Sequence, residues 1–304
     1  MFDFLTAVRA YPFLQYALLT GLLASVACGI VGTYVVARRI TFIADAIAHC
    51  VLGGLGAARY LQVVYGWEGL HPLYGAVVAA LLAALTIGLV SLRAQQREDT
   101  VIGAIWAVGM AVGVLFISAT PGYDIDLMGY LFGNILMVSG QDLRLILVLD
   151  AVVAVLGFLF HNRFLAVCFD EEFARLRGVR VEFYFLLLLC LTALTVVLLV
   201  TVVGIVLVIA LLTLPVAIAG HLARTMWQTM LLAMGLSMVF TTTGLALSYG
   251  PDLPAGATIV VLAGAGYLLV VAGRLFRGSW SPARRAARNQ AVAEGRQGRR
   301  PDSG

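Results

Sequence analysis

An aspartate and a histidine four residues apart are the strongest candidates for chemistry in this sequence. Asp45 and His49 lie in an otherwise apolar run, and on a helix two residues at this spacing share one face. At 1.5 Å per residue, His49 lies roughly 15 Å beyond Arg39. A carboxylate oxygen and an imidazole nitrogen suit zinc, manganese or iron, and they also suit proton handling. The alternative is a structural pair, in which Asp45 binds His49, an arginine or a backbone group of a neighbouring helix.

A second segment, residues 170–178, has its charges in the order of a self-capped helix. Asp170 suits the N-cap, the two glutamates that follow suit the positive end of the helix dipole, and Gly178 can terminate the helix. Phe173 and Leu176 lie three residues apart and give about two turns one apolar edge. No nucleophile or base accompanies the glutamates, so they are not a catalytic pair. By itself, this pattern also fits an ordinary connecting helix.

The elements that must position these residues are membrane spans. Of 304 residues, 62% are hydrophobic and only 12% are charged, against about 25% charged in a soluble protein. Spans of about 20 apolar residues are what a bilayer requires. The sequence therefore predicts an all-α polytopic membrane protein with eight or nine transmembrane helices.

Nine apolar runs are bounded by charged residues, glycine or proline. A tight turn near Gly204 is predicted to divide the longest uncharged stretch, because that stretch is too long for one crossing. The predicted spans are Phe13–Ala37, Ile40–Leu61, Pro72–Leu92, Thr100–Ala119, Leu143–Phe160, Phe183–Val203, Gly204–His221, Trp227–Tyr249 and Leu253–Phe276. Eight spans, with one segment lying only partly in the bilayer, is the alternative.

The basic residues indicate both orientation and partners. All 20 are arginine, so the chain lacks the lysine of a phosphate-binding loop and any ATP must be bound by another subunit. Arginines follow alternate spans, which predicts a cytoplasmic C-terminus. Residues 1–277 are predicted to form the membrane domain and residues 278–304 a basic, disordered tail near anionic lipid. The tail lacks interleaved aromatic residues, so nucleic-acid binding is not expected.

Five motifs in order resemble the permease subunits of bacterial zinc, manganese and iron ABC importers. The first contains Arg38-Arg39-Ile40 followed by Ala44-Asp45-Ala46-Ile47-Ala48-His49. The others are Asp126-Leu127-Met128-Gly129-Tyr130-Leu131-Phe132-Gly133-Asn134-Ile135-Leu136, Asp170…Ala174…Gly178-Val179, Leu212-Thr213-Leu214-Pro215-Val216-Ala217-Ile218-Ala219 and Asp252-Leu253-Pro254-Ala255-Gly256-Ala257-Thr258-Ile259. The resemblance extends from about residue 15 to residue 275. Ala44 stands where the family commonly has glycine, and Cys50 after the histidine is a second departure.

This resemblance implies a function and partners. It assigns metal contact in the translocation pathway to Asp45 and His49. It makes residues 170–178 a coupling helix that docks on an ATPase, through Asp170, Glu171, Glu172, Phe173, Ala174, Leu176 and Gly178. It also implies two permease copies in the bacterial inner membrane, two ATP-binding cassette subunits and an extracytoplasmic metal-binding protein. No cofactor is expected to stay bound, because the metal is the transported substrate. The residues of the second motif resemble the zinc branch more than the manganese or iron branch.

Other interpretations of the same residues remain open. An ion-gradient carrier could use Asp45 and His49 as a proton or cation relay, although no internal repeat supports a carrier. A permease for a metal chelate would also be helical and would also carry a coupling helix. On the outer side, His71, Asp124 and Asp126 are candidates for guiding metal inward. A solvated histidine and an arginine-poor outer face explain these residues equally.

Overall fold

In the computed structural model, which describes residues 2–67, 69–93, 98–121, 133, 135–251 and 253–279, the chain folds into α-helices without a strand. A 3₁₀ turn covers Ile135–Met137. The helices are α1 (Phe2–Ala10), α2 (Pro12–Arg38), α3 (Thr41–Tyr65), α4 (Pro72–Arg93), α5 (Glu98–Ser118), α6 (Gly140–Leu159), α7 (His161–Phe169), α8 (Glu171–Leu176), α9 (Val181–Val203), α10 (Ile205–Leu222), α11 (Met226–Tyr249) and α12 (Ala255–Ser279). Of the described residues, those up to Gly264 belong to one compact unit and those from Ala265 to another.

The described helices match the predicted spans. Eight of them are long and apolar enough to cross a membrane, and a ninth crossing arises if α6 and α7, which meet at 70°, count as one bent span. The predicted all-α polytopic fold is therefore confirmed. The short helix α1 is an addition, since the sequence predicted no helix before the first span. Most of the predicted tail lies outside the described residues.

Four helices form the interior of the bundle. Helices α2, α3, α9 and α10 are more than half buried, whereas α4, α5, α11 and α12 expose most of their surface. Because the apolar residues of the outer helices are available to lipid, their exposure is expected for a membrane protein. The first candidate pair, Asp45 and His49, therefore lies on an interior helix, α3.

Local backbone geometry explains where the interior helices end. Arg39 adopts a left-handed conformation with φ 63°, and the backbone N–H groups of Arg39 and Ile40 donate to the last carbonyls of α2. Gly204, with φ 87°, separates α9 from α10, as the sequence predicted. Gly133 has φ 64°, and its α-carbon lies against the backbone of Val203 and Gly204. A side chain at position 133 would clash there, which explains the glycine in the second motif.

Glycines bring α3 into backbone contact with its two neighbours. Gly54 of α3 lies against the carbonyl of Gly75 in α4, and the reverse contact is equally close. On the side facing α5, a Cβ placed on Gly53 would lie 2.8 Å from the carbonyl oxygen of Gly109. Small residues at helix contacts allow this approach in membranes. These glycines therefore allow α3 to pack closely against α4 and α5.

Polar contacts join the end of α2 to α7 and α8. Arg38 forms an ion pair with Glu171 of α8, in which the two side chains are 24% and 30% exposed. One turn earlier, the Tyr34 hydroxyl lies 2.8 Å from Nδ1 of His161 and donates to the Gly157 carbonyl at 3.1 Å. Since only Arg39 and Ile40 separate α2 from α3, these contacts connect α8 to the start of α3.

Replacing Gly54 by alanine is expected to destabilise the protein, because the new methyl group must displace the Gly75 backbone. We expect a loss of about 1–3 kcal/mol, the usual cost of overpacking. Thermal unfolding of the purified protein in detergent measures it. Gly103→Ala is the matched control, since a Cβ at this position meets nothing within 4 Å. Equal unfolding temperatures for the two variants would contradict the packing analysis.

Reversing one charge of the Arg38–Glu171 pair is expected to lower the unfolding temperature, because two like charges would then face each other. The expected coupling energy is about 0.5–1 kcal/mol. Arg38→Glu and Glu171→Arg should each destabilise the protein, and the double variant should recover part of the loss. Arg39→Glu, at the exposed neighbouring position, controls for net charge. A double variant that only sums the two single losses would argue against the pair.

Candidate functional site

Asp45 and His49 lie in the second and third turns of α3 and face each other. Nδ1 of His49 lies 2.9 Å from the backbone carbonyl oxygen of Asp45 and 3.4 Å from its Oδ1 atom. The His49 side chain is 13% exposed and the Asp45 side chain 34%. In the tautomer that donates from Nδ1, this contact orients the ring and leaves the lone pair of Nε2 for a metal. The predicted proximity of the two side chains is therefore observed.

A cavity of about 440 Å³ opens beside Asp45, between α3 and α5. Asp99 and Trp106 of α5 line it together with Asp45. The Trp106 ring meets the His49 ring edge to face, with 5.1 Å between the centroids. Aromatic packing of this kind fixes the position of the imidazole. The cavity thus combines two carboxylates with a wall that restrains the histidine.

Asp99 and Trp106 were not among the residues selected from the sequence. Asp99 follows Glu98 at the start of α5, where a pair of acidic residues resembles an ordinary helix N-terminus. Trp106 lies in an apolar run, where an aromatic residue predicts packing. Only the contact of α5 with α3 brings them to Asp45 and His49, and no spacing along the chain reveals it.

Within the described residues, the site has too few ligating side chains to enclose a metal. Among the residues that the structure describes, no group of three or more histidine, cysteine, aspartate or glutamate side chains could hold a metal ion. Cys50 does not extend the pair, because its thiol is directed at the carbonyl oxygen of Ile105, 3.4 Å away. Asp45 and His49 are therefore two candidate ligands, and a metal bound here would need further ligands from outside the described part of this chain.

Of the candidate outer residues, the structure describes only His71. Its side chain is exposed, and Nδ1 accepts from the backbone N–H of Leu73 at 3.3 Å. This hydrogen bond caps the start of α4, so Nε2 is the ring nitrogen that remains toward solvent. Asp124 and Asp126 lie outside the described residues.

Helix α8 has the self-capped form that its sequence predicted. Asp170 adopts an extended conformation, and its carboxylate accepts the backbone N–H of Phe173 at 2.9 Å. Gly178 has φ 73° beyond the last turn. Six residues are helical, slightly fewer than two turns.

The two faces of α8 differ sharply. Ala174 is fully buried against the bundle, whereas Phe173 is 53% exposed and Leu176 is 87% exposed. Glu172 is exposed, and Glu171 pairs with Arg38. Apolar side chains this exposed are typical of a surface that contacts another protein or a membrane.

The chain matches the ABC 3 transport family over residues 10–274. It is 42% identical to a probable metal transport system membrane protein of Chlamydia pneumoniae over 82% of this chain and 85% of the relative. It is 36% identical to the manganese transport system membrane protein MntC of Listeria monocytogenes over 86% of this chain and 90% of the relative.

A solved structure has the same fold. PsaBC from Streptococcus pneumoniae, in complex with Fab, matches with a TM-score of 0.78 and 30% identity over 88% of this chain and 94% of that chain. These similarities cover almost the whole membrane part and confirm the resemblance that five motifs indicated. The chain therefore belongs to the ABC 3 transport family and is a metal-type, multi-pass ABC permease.

Proposed function

We propose that this chain is the membrane subunit of an ATP-driven importer of a divalent transition metal. The observation that carries the proposal is the pair of Asp45 and His49, held side by side on an interior helix and next to a cavity. A carboxylate and an imidazole within a span are costly unless they serve a cavity, a partner or an ion. In a metal-type permease, the transported ion is the occupant that fits both ligands.

The pathway is formed by two copies of the chain. One copy supplies one oxygen ligand and one nitrogen ligand, and two copies related by a twofold axis supply four. Trp106 of α5 lines the cavity and is 40% exposed, so it is available for contact with a second copy there. This arrangement accounts for a pair that is incomplete within one chain.

Zinc, manganese and iron(II) all fit these ligands. The second motif favours zinc, whereas the relative from Listeria monocytogenes is described as a manganese protein. Manganese binds carboxylate oxygen more readily than thiolate, and the thiol of Cys50 points away from the pair. Zinc, manganese and iron(II) are therefore all candidate substrates, and a transport measurement distinguishes them.

ATP hydrolysis in a separate cassette subunit drives alternating access. Helix α8 docks on this subunit through Phe173 and Leu176, and the buried Ala174 keeps α8 attached to the bundle. Movement of α8 reaches the spans through Arg38 and the end of α2. The spans then tilt and change the side to which the cavity opens.

An extracytoplasmic binding protein delivers the metal to the outer face. His71 is exposed at the start of α4, and with Asp124 and Asp126 it provides imidazole and carboxylate groups that attract cations. The C-terminus is cytoplasmic in this arrangement, because arginines follow alternate spans.

His49→Ala is expected to abolish metal accumulation, because half of the ligands are lost from the pathway. Cells that express the chain with its ATPase and binding protein should be grown under chelator limitation. Zinc, manganese and iron are then measured together, and the metal that rises in wild type identifies the substrate.

Cys50→Ala is the matched control, because the neighbouring thiol faces the Ile105 carbonyl rather than the site. It should accumulate metal like wild type at equal membrane abundance. Accumulation by His49→Ala at the wild-type level would remove His49 from the pathway. No accumulation in wild type would favour a carrier or a chelate permease.

Leu176→Ser is expected to weaken binding of the ATPase subunit at least several-fold, because Leu176 is the most exposed apolar side chain of α8. Co-purification of the ATPase with the permease measures the loss. Leu253→Ser serves as the control, since Leu253 is 52% exposed in the loop between α11 and α12, on the opposite side of the membrane. Equal ATPase recovery with both variants would refute docking through Leu176.

A further inference from the structure

A buried carboxyl group in α6 takes no part in the site described above. Asp150 is the eleventh residue of α6 (Gly140–Leu159), so it lies about 15 Å from either end of the helix. It is 6% exposed. Among the residues that the structure describes, neither carboxyl oxygen has a hydrogen-bond partner. The rest of the buried face of α6 is apolar, formed by Ile146, Leu149, Val153 and Gly157.

No cation on the neighbouring helices neutralises Asp150. The helices packed against α6 include α2, α7 and α9. Ionisable side chains on these helices and on α6 are Tyr16, Cys28, Tyr34 and Arg38 on α2, Asp142 and Arg144 on α6, His161, Arg163 and Cys168 on α7, and Glu182, Tyr184 and Cys190 on α9. Of these, Tyr34 contacts His161 and Arg38 binds Glu171.

A carboxylate in this position would carry a full charge without any compensation. Burying an unpaired charge costs several kcal/mol or more, and proteins avoid this cost by neutralising the group. A neutral carboxylic acid loses only the hydrogen bonds of its polar atoms, which is a much smaller penalty. Protonation forms an O–H bond on the Asp150 carboxylate, and the proton comes from the surrounding water.

We propose that Asp150 is a proton-binding site that is occupied in this conformation and exchanges its proton when α2 and α6 separate. The end of α2 contacts both α6 and α8: Tyr34 donates to the Gly157 carbonyl of α6, and Arg38 binds Glu171 of α8. Movement at this junction changes the packing around Asp150. This exchange rests on the proposed function, because ATP binding in the partner subunit supplies the movement.

Infrared spectroscopy of the wild-type complex in lipid vesicles tests both parts of the proposal. The nucleotide-free complex should show the carbonyl stretch of a protonated carboxyl group at neutral pH, and Asp150→Asn should remove this band. Asp142→Asn, which changes a carboxylate in the capping box of the same helix, should leave it unchanged. Because asparagine is neutral and of the same size, Asp150→Asn is expected to keep the wild-type unfolding temperature.

Trapping the complex with ATP and vanadate should diminish the Asp150 band. Absence of the band from the nucleotide-free complex would overturn proton binding, and an unchanged band after trapping would overturn exchange. Metal uptake by the same wild-type vesicles is measured in parallel. If the wild-type vesicles take up no metal but show the nucleotide-free band, the result contradicts the proposed import function and not proton binding at Asp150.

Discussion

Backbone contact between α3 and its neighbours is the constraint on which the candidate site depends. Gly54 meets Gly75 of α4, and Gly53 meets Gly109 of α5, without an intervening side chain. In a membrane, helix association gains little from burying apolar surface and depends on close packing. Because α5 lies this close, Trp106 reaches the ring of His49 and Asp99 shares a cavity with Asp45. Larger residues at the glycine positions would move α5 away and widen the site.

Helix α3 is linked to α8 through the end of α2, which a very short turn connects to α3. Arg39 and Ile40 are the whole of the turn between α2 and α3, and the left-handed Arg39 closes it with two backbone hydrogen bonds. Because so few residues lie between the two helices, a movement of Glu171 that shifts Arg38 is transmitted to α3 and to Asp45. In the proposed importer, this turn connects the ATPase to the metal site. Variants of the Arg38–Glu171 ion pair are the means to measure how strongly α8 is coupled to α2.

Much of this structure could be predicted from the sequence because membrane spans and helix caps are encoded locally. The break at Gly204, the cap at Asp170 and the shared face of Asp45 and His49 each depend on neighbouring residues. Asp99 and Asp150 could not be identified in this way. Asp99 acquires its place through the packing of α5 on α3, and Asp150 through its burial against α2, so both depend on contacts between distant parts of the chain.

In the proposed importer, an incomplete ligand set on each chain has a consequence for transport. A site with four ligands on one rigid chain would bind a divalent metal tightly and release it slowly, which suits a structural metal and not a transported one. Two ligands on each of two chains create full coordination only when the two α3 helices are correctly placed. Tilting these helices then removes ligands in pairs and lowers the affinity. In such a transporter, the geometry of the dimer, and not the chemistry of Asp45 and His49 alone, determines when the metal leaves.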